Sequence, residues 1–255
     1  MRRRACWILL GFLAASAGSA ADSKEPCKPS LDACPKRGCA EPYTPAAYLN
    51  IQKRRLSPLN TSIVRLTFDD FRELQARAEV LFEGKHHELS KPQRVRLRNL
   101  VIGGKPVGEG WLIELTGFIT VLPAHSEPHP NSSGESVNCR LKSSDNNDFH
   151  ISISPDPAVK EWQGIVVEMV PQKRSEGWTI TQLKKAQKER RMLRVRGLLF
   201  FDNHHTVNAD ELKNIKNQPK RMSLWEIHPV KEFHVCAQNT CQPDGSGWKR
   251  LEEWP

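Results

Sequence analysis

The chain reads as mainly β with some α: a small five-stranded barrel with an inserted helix, preceded by a short helical stretch and a cysteine-rich segment. Three observations predict this class. Eighteen prolines and fifteen glycines imply many turns and short strands, which argues against a helical bundle. After residue 110 the apolar pattern changes from helical spacing to alternation. The runs beyond that point follow the order strand, strand, strand, a further strand, helix, strand, strand.

The N-terminus comes first. Met1-Arg2-Arg3-Arg4, an apolar run from Ala5 to Ala15 and small residues up to Ala20-Ala21 form a secretory signal over residues 1–20. The run is shorter than the roughly 20 residues that span a bilayer, so cleavage and export to a periplasmic or extracellular space are expected. No later segment is apolar enough to cross a membrane. Loss of three arginines and no acid lowers the net charge from +9 to about +6, still basic. Residues 21–60 are rich in Pro, Lys and Cys and lack periodicity. Cys6 aside, the cysteines are Cys27, Cys34, Cys39, Cys139, Cys236 and Cys241, an even number in an exported chain, which favours disulfides. The short polar spacer between Cys236 and Cys241 predicts a local bridge; Cys27, Cys34, Cys39 and Cys139 stay unassigned. A thiolate metal site is the alternative, but the C-x6-C-x4-C spacing lacks the usual C-x2-C knuckle.

Residues 61–107 are helical. Thr67 caps a helix carrying Phe68, Phe71, Leu74, Ala78 and Leu81 on one face and ending near Gly84. Ser90-Lys91-Pro92 opens a shorter one. The barrel domain, 108–255, starts with a long strand over 111–121, bent at Gly117. A polar loop over 123–135 follows, then a hairpin of 137–142 and 148–154 with its turn at 143–147. Residues 165–170 form an apolar run. Thr179 caps a helix to about Arg191, 193–201 is a strand, and 223–236 is the last, interrupted at Pro229.

Five strands with a helix between the third and fourth is the OB-fold order. The segments Gly108-Glu109-Gly110 with Leu115-Thr116-Gly117-Phe118-Ile119, Glu135-Ser136-Val137-Asn138-Cys139 with Asp148-Phe149-His150-Ile151, and Ser223-Leu224-Trp225-Glu226-Ile227-His228-Pro229-Val230 resemble those of exported bacterial OB-fold-like proteins of unknown function, over roughly 108–236. The resemblance implies the fold and no catalytic residue. An immunoglobulin-like sandwich is the alternative core.

Polar residues inside strands are the candidates for chemistry. Alternation puts Asp148, His150 and Ser152 on one face, with Phe149, Ile151 and Ile153 inward. Glu226 and His228 share a face, and Glu168 interrupts an apolar run. If they converge, His150, Glu168, Glu226 and His228 suit a divalent metal, or His150, Glu226 and His228 suit acid–base catalysis. Otherwise each is a polar position on the wet side of a strand. His204-His205 is a second, loop-borne pair. The densest basic run, Lys184, Lys185, Lys188, Arg190 and Arg191, suits an anionic polymer such as nucleic acid or a plain solvated helix face. There is no phosphate loop or nucleophile elbow. Asn60-Thr61-Ser62 and Asn131-Ser132-Ser133 match glycosylation sequons.

The expectation is a monomeric exported binding or accessory protein whose barrel takes an unidentified ligand, with no cofactor needed. The alternative is a metal-dependent hydrolase of nuclease or phosphodiesterase type using the His/Glu face.

Overall fold

A computed structural model describes residues 25–121, 134–160, 163–207 and 221–255. Residues 1–20, read as a secretory signal and including Cys6, lie outside the described residues, as do His125, His129 and the sequon at Asn131.

The barrel strands are β4 (Leu112–Val121), β5 (Phe149–Ser154), β6 (Ile165–Met169), β7 (Leu193–Phe201) and β8 (Trp225–Cys236). They pair in the order β4-β5-β6-β8-β7, and β7 pairs with β4 to close the ring. The β6–β8 pairing is parallel and the others antiparallel. Helix α4 (Ile180–Lys188) lies between β6 and β7 in sequence, so the predicted barrel order is present. The hairpin reading of 137–142 is not. That stretch is a tight turn with positive φ at Cys139 and Arg140, and Cys139 is bonded to Cys34. The run at 165–170, read as an addition, is the third barrel strand.

Alternation fills the barrel interior. Ile151, Ile153, Ile165, Val167, Leu199, Phe201, Trp225 and Ile227 belong to one buried core. Helix α2 (Phe68–Phe82) adds Phe68, Phe71, Leu74 and Ala78 to it, and α4 adds Leu183 and Ala186. The Thr67 capping box starts α2 as the sequence indicated. Gly117 is required by close approach: a Cβ there would stand 2.6 Å from Ser154 O and 2.9 Å from Phe68 Cζ. Gly197 is equally confined, with Pro229 O 2.4 Å from the same point, where the β7–β8 register shifts.

Smaller elements complete the chain. Strand β1 (Val64–Arg65) adds to the β4 edge in parallel, β2 (Leu100–Ile102) and β3 (Lys105–Val107) form a separate hairpin after α3 (Lys91–Val95), and β9 (Trp248–Arg250) pairs with β8.

The segment ahead of β1 is a cover for the barrel wall. Helix α1 (Pro45–Lys53) is capped by Thr44 and buries Ala47, Leu49, Asn50 and Lys53. Disulfide Cys27–Cys39 closes the cover on itself, and Cys34–Cys139 ties it to the turn before β5. The bridge Cys236–Cys241 forms as expected, and no thiolate metal site remains among these paired cysteines. Asn50 Nδ2 donates to Arg37 O and Ser136 Oγ, fixing α1 against the same turn.

Candidate metal centre

The outward side of β5, β6 and β8 is where the sequence placed a wet polar face. It is not wet. Glu168, Glu226 and His228 are fully or almost fully buried, and Lys53 of α1 and Asn138 of the 134–147 turn reach Glu168 and Asp148 on this face. Period-two alternation cannot distinguish solvent from a covering layer of chain. Four candidates nonetheless meet as the spacing allowed. His150 stands directly opposite Glu168 in the β5–β6 ladder. Val167 opposite Ile227 brings Glu168 beside Glu226 and His228.

One group of ligand atoms is tight. His228 Nε2 lies 3.1 Å from Asp148 Oδ2 and 3.0 Å from Glu168 Oε2. One imidazole N–H cannot point well at two carboxylates, yet both stand at contact distance. Such spacing is that of a charge-assisted hydrogen bond and also matches the roughly 3 Å between ligand atoms that stand about 2.1 Å from an octahedral ion. Asp148, Glu168 and His228 supply one ligand atom each within 4.8 Å of one another. Asp148 is steadied by Asn138 Nδ2 at 2.9 Å, and Asn138 Oδ1 in turn accepts from Gln172 Nε2. Residues that orient a ligand in this way are typical around metal centres.

His150 forms the outer edge of this group. Its Nε2 is 3.1 Å from Glu168 Oε1 and 3.2 Å from Glu135 Oε1. The His150 and Glu135 side chains keep 14% and 28% exposure, whereas Glu168 has none. The cluster therefore opens to water on the His150–Glu135 side.

A second group shares Glu168 and adds Asp202 and Glu226. Here the chain supplies cations. Lys53 Nζ is 2.9 Å from Asp202 Oδ2 and 3.9 Å from Glu168 Oε2. Arg221 Nη1 is 2.9 Å from Glu226 Oε2, with both side chains fully buried. His205 Nε2 lies 3.3 Å from Asp202, so half of the loop histidine pair joins the cluster. Phe200 backs it, its ring 5.3 Å from the His228 ring and 5.7 Å from Lys53 Nζ.

The charges respond to this crowding. Burial pulls the His228 imidazole down, but Glu168 and Asp148 outweigh it and hold it up at about 10. Burial likewise opposes His150, and Glu168 and Glu135 raise it to about 9. Burial and the neighbouring Asp148 push Glu135 up to about 7. Burial, with Glu168 and Asp202 nearby, pushes Glu226 to about 8. Burial would raise Glu168 and Asp202 too, but His150 and Lys53 hold the first, and Lys53 and His205 the second, well below the usual range. The Asp148 group balances its charge chiefly with protonated imidazoles; the Asp202 group has Lys53 and Arg221 in direct contact, and its Glu226 is held up as well.

Sequence reasoning missed Lys53, Glu135, Asp202 and Arg221. Asp148 was placed beside His150 but not among the ligands. Asp202 had one available signal, an acid at the last turn of an apolar strand.

The basic run does not join this site. In α4, Lys184 and Lys188 are exposed, as is Arg190 just beyond it. Lys185 is held by Pro255 O and lies 4.7 Å from the Trp254 ring, and Arg191 pairs with Glu189. Phe200, Phe201, Trp225 and Phe233 are buried and offer no stacking surface. The Asn60 side chain is occupied, donating to Ser62 O and Leu112 O and accepting from Leu112 N, so this sequon is poorly placed for a glycan. Among the described residues no helix is long and apolar enough to cross a membrane. No family model, curated protein or solved structure matches the chain.

Proposed function

We propose that this protein is an exported metal-dependent hydrolase acting on phosphodiesters, with a divalent cation held by Asp148, Glu168 and His228. The observation that carries the reading is the 3.0–3.1 Å approach of His228 Nε2 to two carboxylates at once. Two oxygens and one imidazole suit a manganese-, zinc- or magnesium-class ion. Such an ion supplies an acidified water and polarises a phosphoryl oxygen. At the open edge, Glu135, raised to about 7, is placed to take the proton from the attacking water, and the protonated His150 to give one to the leaving alkoxide. The basic surface on and after α4 supports an anionic substrate.

Binding of a polyanion along the whole strand face has less support, because Glu168, Glu226 and His228 are buried there and only the His150–Glu135 edge is open to a substrate. The test is hydrolysis of bis(p-nitrophenyl) phosphate and of labelled single-stranded nucleic acid, with manganese, zinc or magnesium added to chelator-treated protein. Turnover that needs the ion and is lost in Glu168→Gln is expected. Full turnover in excess chelator would overturn the reading.

A further inference from the structure

We propose that Lys53 is the built-in second cation of this site: its ammonium takes the Glu168–Asp202–Glu226 position, so the protein binds one divalent ion where its acids would hold two. This rests on the metal-site reading above. The two ligand groups share Glu168, as a bridging carboxylate is shared in a two-ion centre, where ions lie about 3.5–4 Å apart. In the first group, among the described residues, no ammonium or guanidinium forms a direct ion pair with Asp148, although Arg54 and Arg174 lie near enough to act on it. In the second, Lys53 Nζ sits 2.9 Å from Asp202 and 3.9 Å from Glu168. Glu226 spends Oε2 on Arg221, while its Oε1 is buried without a hydrogen-bond partner among the described residues. Buried carboxylates in this number require positive charge beside them.

Lys53 is not a mobile surface lysine that happened to fall there. It is the last residue of α1 and is buried. That helix is fixed by the Asn50 bonds to Arg37 O and Ser136 Oγ, and its segment is stapled by Cys34–Cys139. Burial works against the ammonium, yet Asp202 and Glu168 hold it firmly charged. Turnover should therefore rise with manganese as a single-site curve.

The experiment counts manganese bound per chain after gel filtration, in wild type and in Lys53→Met, which keeps the stem and removes the charge. Wild type should retain one ion and Lys53→Met two. The double variant Lys53→Met/Asp202→Asn should return to the wild-type count. An unchanged count in Lys53→Met, or two ions in wild type, overturns the proposal. If wild type holds none but Lys53→Met holds one, the Asp148 site fails while the role of Lys53 stands. If Lys53→Met is unfolded when metal-free, recovery of wild-type circular dichroism on refolding with manganese is expected, and failure to recover counts against the proposal.

Discussion

The two halves of the buried cluster share Glu168 and differ in how their charge is balanced. Around Asp202 and Glu226 the chain provides Lys53 and Arg221, both fixed in place. Around Asp148 and His228 the direct partners are imidazoles, which are positive only when they carry a proton, with Arg54 and Arg174 acting on Asp148 from beside the site. The first half is an ion network built on two side-chain cations, with Glu226 as its one proton-exchanging acid. The second has exchangeable balance: protons leave and a metal ion takes their place. The difference separates a structural from a ligand-binding role within a single set of buried acids.

The comparison breaks most severely at the shared residue. Glu168→Gln removes the carboxylate that both halves use and leaves Lys53, His150 and His228 short of an acceptor. Loss of a partner in a buried ionic set costs about 3–5 kcal/mol, so urea unfolding should shift by that order and manganese binding should vanish. His228→Gln is the narrower cut. It should abolish ion binding while the Lys53–Asp202 contact persists, so the cover remains protected in hydrogen exchange.

Proton linkage sharpens the contrast. His150 and His228 have folded values raised to about 9 and about 10, above the ordinary imidazole value of 6.5. Their contribution to stability is therefore complete below pH 6.5 and is lost as pH rises through 9 to 10. Glu135 and Glu226, raised to about 7 and about 8, act in the same direction: protonation favours the fold, and the benefit fades between pH 4.5 and 8. Metal-free protein should melt at progressively lower temperature from pH 6.5 to 10. Saturating manganese should flatten that slope, because the ion replaces the protons.

The smallest effect is expected far from the cluster. Changing Lys184, Lys188 and Arg190 to Gln touches exposed side chains and should alter stability by less than about 0.5 kcal/mol per site. It should raise KM for a polyanionic substrate at low salt and leave turnover of a small phosphodiester unchanged.

Much of this arrangement was legible in the sequence because strand periodicity carries it. The spacing of His150, Glu226 and His228, and the lone Glu168 in an apolar run, place these side chains on one sheet face. The Thr67 cap, the α4 position and the Cys236–Cys241 bridge follow from equally local rules. What escaped was long-range. Lys53 reaches Asp202 from far away in sequence, on a helix whose placement depends on the Cys34–Cys139 pairing, and no local pattern encodes that pairing. Residues 137–142 alternate like a strand, but Cys139 and Arg140 adopt positive φ to deliver the disulfide and Asn138 to the site. The face read as solvated was buried for the same reason: the cover comes from the segment that lacked periodicity.

The central claim is that the Asp148–Glu168–His228 group exchanges protons for a divalent ion. The most direct measurement is calorimetric titration of manganese into chelator-treated protein near pH 7.5, in two buffers of different ionisation enthalpy. Saturable binding with net proton release, absent in His228→Gln, is the expected result. No binding heat, or binding that persists unchanged in His228→Gln and releases no proton, would contradict it.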